Sequence, residues 1–117
     1  MTDGTTHHGV MITFSTPAEG ASDREFNDWY DKTHVPEILA HVDGVVAVRR
    51  YRLSPKRSPL AGDAPAPYVA MYELDRPVDE VLKSFGAAAA TMTRSDTLGE
   101  GDRAPISLMY ELLSSQP

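Results

Sequence analysis

The order in which two residue periodicities recur along the chain constrains its fold more than any other feature. The run GVMITFS (9–15) alternates Val10, Ile12 and Phe14 with Met11, Thr13 and Ser15. A period of two, built from branched and aromatic residues, marks a half-buried β-strand. Three further runs read as strands: VVAVRRYRL (45–53), PYVAMYEL (67–74) and PISLMYELL (105–113). Helical spacing fills the intervals between the first and second strands and between the third and fourth. Ser22, Asp23, Arg24 and Glu25 form a capping-box pattern, so the first helix is predicted to begin at Asp23. Phe26, Trp29, Tyr30 and Thr33 then recur every three or four residues and make its buried stripe. Pro36 lacks an amide proton and biases Val35 away from helical geometry, which predicts an end or kink near 33–35. A short turn of helix over 36–41 and a reversal at Asp43-Gly44 follow. The second helix is predicted from Val78 to about Met92. The resulting order, β-α-β-β-α-β, is the split-βαβ or ferredoxin-like arrangement, an α+β class.

At 117 residues the chain has room for one domain, expected over 9–113, between a polar, disordered tail (1–8) and a short tail (114–117). The segment SPKRSPLAGDAPAP (54–67) holds four prolines and reads as a loop, and 99–103 as a polar connection. A formal charge of −6 argues against nucleic acid or an anionic membrane as partner. No apolar run reaches the roughly 18 residues of a membrane-spanning helix. The opening MTDGTTHHG lacks the pattern of a signal peptide, so a cytoplasmic location is expected. Without cysteine there are no disulfides, thiolate nucleophiles or cysteine-ligated metals. The sequence carries no phosphate-cradling glycine loop, no HExxH and no G-x-S-x-G. His34 and His41 are poorly spaced for a shared metal, and His7 and His8 form a weak pair on a tail. Neither a metal nor a cofactor is expected.

A ferredoxin-like sheet carries helices on one face only, and the other face needs a cover. Val10, Ile12, Phe14, Val46 and Val48 are assigned to the helix side. Alternation then puts Met11, Thr13, Val45, Ala47, Arg49, Tyr51, Val69, Met71, Glu73, Met109 and Glu111 on the open side. A surface so apolar yet dotted with polar groups suits the wall of a small-molecule pocket, enclosed when two chains pack sheet to sheet as a homodimer. Tyr72 and Tyr110 share the parity of the helix-side residues and read as packing. The tetrapeptide MYEL occurs at 71–74 and 109–112, which suggests two strands in similar environments.

The segment Glu25-Phe26-Asn27-Asp28-Trp29-Tyr30-Asp31-Lys32-Thr33-His34-Val35-Pro36 resembles the E-F-x-x-W/Y-Y/W-x-x-x-H-x-P signature of the EthD-like group. That group belongs to the dimeric α+β barrel superfamily, and the segment is also similar to methylmuconolactone isomerases and small polyketide cyclases and dehydratases. Gly44-Val45 and the strand through Arg50-Tyr51 fit the same pattern, as does the element order over about 9–113. The resemblance implies a dimeric α+β barrel with His34 at the mouth of its pocket.

His34 also has a case independent of the resemblance. Imidazole can take a proton from beside a carbonyl and return one near neutrality, which serves dehydration, isomerisation or ring closure. The competing role is a helix cap that donates to the last carbonyls. Tyr51 and Arg49 are the next catalytic candidates, as groups that would polarise a substrate oxygen or hold a carboxylate. Alternatively they form a cross-strand pair or an ion pair with Glu73. Trp29 and Tyr30 fit the core or the edge of the site, Tyr30 being placed four residues before His34. Asp31 is a candidate for orienting the imidazole, and His41 for ending the short helix. Met11, Thr13, Met71, Glu73 and Met109 complete the expected substrate surface. The leading expectation is a cofactor-independent lyase, isomerase or cyclase acting on a hydrophobic, oxygenated small molecule, as in polyketide or aromatic metabolism. The alternatives are a cofactorless or haem-dependent monooxygenase of the same fold, and a dimer that binds a ligand without turnover.

Overall fold

A computed structural model describes residues 7–117. Strands β1 (Gly9–Ser15), β2 (Val45–Arg52), β3 (Tyr68–Leu74) and β4 (Ile106–Glu111) form one antiparallel sheet in the order β2-β3-β1-β4. Helices α1 (Asp23–Trp29), α2 (Val35–His41) and α3 (Val78–Ala88) complete an α+β domain whose β-α-β-β-α-β order is compatible with a ferredoxin-like fold. The disordered tail expected at the N-terminus falls outside the described residues over 1–6. His8 is not loose: its amide donates to the Leu74 carbonyl at 2.9 Å, and its own carbonyl accepts from Leu112 at 2.8 Å.

The first helix starts where the capping box places it. The Ser22 hydroxyl accepts from the Glu25 amide at 3.0 Å, and the Glu25 carboxylate accepts from the Ser22 amide at 3.2 Å. Of the two outcomes expected around Pro36, an end or a kink, the helix does not end: its regular α-geometry is interrupted and then resumes. A π-helical turn over Tyr30–His34 joins α1 to α2, with the Val35 amide donating five residues back to Tyr30. In a regular α-helix the Pro36 ring would press on the carbonyl of Lys32. Widening the preceding turn carries the rod through the proline to His41, with Pro36 in the first turn of α2. Gly44, at φ +101°, then reverses the chain into β2, a conformation that favours glycine. Helix α3, expected over Val78 to about Met92, stops at Ala88 and continues as a single 3₁₀ turn over Ala89–Thr91, close to the expected end.

Cross-strand register fixes the two faces of the sheet. Met11 lies between Tyr72 and Met109, and Thr13 between Ala70 and Ser107; these rows, with Ser15 and Leu74, face the helices. The open face carries three rows: Ala47–Glu73–Val10–Tyr110, Arg49–Met71–Ile12–Leu108 and Tyr51–Val69–Phe14–Ile106. The expected parity of β1 is therefore inverted: Met11 and Thr13 are buried under the helices, and Val10, Ile12 and Phe14 lie on the open side. Met109 and Glu111 also lie on the helix-facing side, as does Val45. A register shift between Val45 and Ala47 leaves Val46 exposed, and puts Val48, Arg50 and Arg52 in line with the buried rows. Arg49, Tyr51, Val69, Met71 and Glu73 do sit on the open face as expected. The two MYEL segments prove unlike: Tyr72 is buried, while Tyr110 is half exposed on the other side.

Between helices and sheet lies the core. Phe26, Ile38, Val42, Tyr72, Leu74 and Val81 are its largest fully buried side chains. Each contributes about 1.5–3 kcal/mol by leaving water. Among the described residues no helix is long and apolar enough to cross a membrane.

Candidate functional site

The helix layer does not seal completely against the sheet. A cavity of about 570 Å³ lies between them. Met11, Thr13, Tyr72 and Ser107 form its floor; Tyr30, His34 and Ile38 form one wall, and Leu82, Phe85 and Ala89 the other. Met92, Leu98 and Pro105 complete the lining. The exposed Leu82, Gly86, Ala89, Pro105 and Ser107 mark its mouth, beside β4 and α3. Nearly all of this lining is apolar, with a few hydroxyls and one imidazole.

The hydroxyls form two hydrogen-bonded sets. The Tyr30 hydroxyl lies 3.4 Å from both the Ser15 hydroxyl and the Tyr72 hydroxyl. Burial, then the proximity of the Tyr30 phenol, pushes the Tyr72 phenol far above its ordinary range, so it stays protonated as a donor. Thr13 and Ser107 share a second hydroxyl pair at 2.9 Å.

His34 stands in the π-helical turn rather than at a helix end, and makes no capping hydrogen bond. Its ring stacks on Trp29 at 4.7 Å and meets the edge of Tyr30 at 4.9 Å. Nδ1 of His34 is buried without a hydrogen-bond partner, as is the Trp29 indole nitrogen. Burial lowers the His34 pKa from its ordinary 6.5; nearby Glu37 opposes the shift and Arg50 adds to it. At neutral pH the imidazole is therefore uncharged and able to accept a proton. Neither carboxylate near it in sequence orients it. Asp31 pairs with Arg50 at 2.9 Å, and Glu37 accepts from the Thr93 amide and hydroxyl at 2.9 and 2.6 Å.

Of the residues singled out from the sequence, Met11, Thr13, Tyr30 and His34 line the cavity, and Trp29 backs the imidazole. Met109 packs beside Met11 on the same side. Arg49, Tyr51, Met71 and Glu73 lie on the opposite face, with Arg49 and Glu73 paired at 3.8 Å. The structure thus separates Tyr51 and Arg49 from His34 by the thickness of the sheet. The cavity lies within one chain, between helices and sheet.

Sequence reasoning missed Tyr72, Ser107, Phe85, Met92, Leu98 and Arg50. Tyr72 was assigned to packing, and its pairing with Tyr30 across 42 residues has no local signature. His41 ends α2, as expected, and is exposed. No group of His, Asp and Glu side chains suited to a metal occurs among the described residues. The chain matches no protein-family model, no curated protein and no solved structure.

Proposed function

We propose that this protein is a cofactor-independent acid–base enzyme, a cyclase, dehydratase or isomerase, acting on a hydrophobic small molecule that carries a carbonyl or hydroxyl oxygen. The observation that carries the reading is an uncharged, partly buried imidazole with an unpartnered Nδ1, set in the wall of an otherwise apolar cavity of about 570 Å³. A pocket of this size and lining suits a drug-sized guest and binds it mainly by removing apolar surface from water. His34 takes a proton from carbon next to the substrate carbonyl and returns it at another position or to a leaving hydroxyl. The Tyr72–Tyr30–Ser15 hydroxyls, fixed before substrate arrives, stabilise the negative charge that develops on its oxygen.

The assignment to the EthD-like, dimeric α+β barrel proteins, and with it a cytoplasmic homodimer, belongs to the same proposal. Its support is the helix-one signature together with the open sheet face, whose inner rows are Val10, Ile12, Phe14, Val69 and Met71. A second copy packed on that face would cover it, leaving the Arg49–Glu73 pair near the β2 edge.

Deuterium uptake by an apolar cyclic ketone such as 2-tetralone, in heavy water, tests the chemistry without knowledge of the natural substrate. The wild-type chain should accelerate exchange at the carbon beside the carbonyl, and His34→Gln should not. Equal exchange by both proteins removes His34 from the mechanism. One observation favours a ligand-binding role without turnover: Nδ1 of His34 has no carboxylate or carbonyl to orient the ring. Tight binding of the ketone with no exchange by the wild type supports that second reading.

A further inference from the structure

Arg50 is the most engaged cation of the described chain, and the mechanism above does not use it. It lies on β2 in register with Ala70, in a row facing the helices, and its side chain is only 14% exposed. Nη1 donates to the Asp31 carboxylate at 2.9 Å, and Nη2 to the Asn27 side-chain oxygen at 2.7 Å. Both partners lie on the first helical rod, one on each side of the junction between α1 and the π-helical turn. With its edge held this way, the guanidinium lies over the Tyr30 ring, 4.3 Å from the centroid. The negative partner is far more exposed than the cation, at 62%. Water therefore screens the Asp31 charge more than it screens Arg50, and a net positive field reaches inward through Tyr30.

We propose that Arg50 is a positioning residue of the cavity: clamped by Asn27 and Asp31, it fixes the Tyr30 ring and presents a positive charge behind the Tyr30–His34 wall. The cation–π contact orients the phenol whose hydroxyl meets Tyr72 and Ser15. The same charge favours a guest whose oxygen becomes negative, such as an enolate or phenolate, over one that becomes positive. This choice of guest rests on the acid–base reading; the electrostatic role of Arg50 does not.

Titration of the His34 ring protons by NMR tests the role with no substrate present, the His34 signals being assigned by their loss in His34→Gln. The groups acting on this imidazole are Glu37 on α2 and Arg50 on β2, with Tyr30 in contact and burial opposing charge. Arg50→Gln should move the His34 midpoint to higher pH. Asp31→Asn, which leaves the cation without its counter-charge at an exposed position, should move it to lower pH. Arg50→Lys keeps the charge without the fork and should lie close to wild type in midpoint, with Tyr30 ring signals that are displaced. An unchanged midpoint in a folded Arg50→Gln protein overturns the proposal and leaves Arg50 a strap between helix and sheet. Should Arg50→Gln fail to fold, the downward shift in Asp31→Asn decides, and its absence overturns the proposal equally. Failure of the acid–base reading shows separately, as ketone exchange that does not depend on His34.

Discussion

The two faces of the sheet invert the usual arrangement of polar and apolar groups. The helix-facing side holds the buried hydroxyls of Thr13, Ser15 and Tyr72, with the exposed Ser107 at its edge, while the uncovered side is dominated by Val10, Ile12, Phe14, Val69, Met71, Ile106 and Leu108. A polar group inside a protein costs free energy unless it is hydrogen-bonded, and here the hydroxyls bond one another around a cavity. An apolar face toward water is a surface waiting for cover. Under the proposed function, chemistry belongs to the helix-facing side of the sheet and association to the open side.

The largest effect expected from breaking that division is on the chemical side. His34→Gln should lower ketone exchange by about 10²–10⁴-fold, the usual share of a positioned acid–base group. The same variant reports on stability. Because folding lowers the His34 pKa, the neutral ring's advantage is fully present above about pH 6.5 and is lost as pH falls through the depressed folded value. The wild type should therefore lose its stability difference from His34→Gln on acidification, read as denaturation midpoints at about pH 8 and pH 5. A difference that grows on acidification means the sign is wrong.

On the opposite face, Leu108→Glu introduces a charge at the β4 end of the central row of the open face. It should weaken self-association by more than about 100-fold, or roughly 2.7 kcal/mol, as read by sedimentation. Ketone binding in the cavity should survive. Equal sedimentation of wild type and variant as single chains removes the dimer from the account. A smaller effect is expected from Tyr72→Phe, which deletes one hydroxyl but leaves Tyr30 its contact with Ser15. A loss of about 1 kcal/mol in denaturant unfolding is expected, with a larger proportional loss of exchange rate. The smallest change belongs to Arg49→Ala, an exposed residue paired at 3.8 Å, where about 0–1 kcal/mol is typical. Exchange should be untouched, and a catalytic defect in this variant would return Arg49 to the site.

Element order, the capping box and the stripe of helix one were legible in the chain because each is local: Ser22 and Glu25 are three residues apart, and Phe26 and Tyr30 four. His34 was legible for the same reason. Face parity was not. A strand shows which residues alternate but not which set faces inward, and β1 has apolar side chains in both sets. In β2 the shift between Val45 and Ala47 changes the parity partway, so Val46 and Val48 do not share a face. Tyr51 and Arg49 keep their expected open-face parity, but the cavity and His34 lie on the helix-facing side of the sheet. Passage of the helix through Pro36 was equally hidden, since a proline signals trouble for an α-turn without saying whether the chain will stop or widen.

The methionines offer the most direct test of the division between faces. Met11 and Met92 line the cavity, and Met71 lies on the open side. With ¹³C-methyl methionine, a titration with 1-naphthol should shift the Met11 and Met92 signals and leave Met71 in place. Shifts confined to Met71 would put the ligand on the open face and contradict the account.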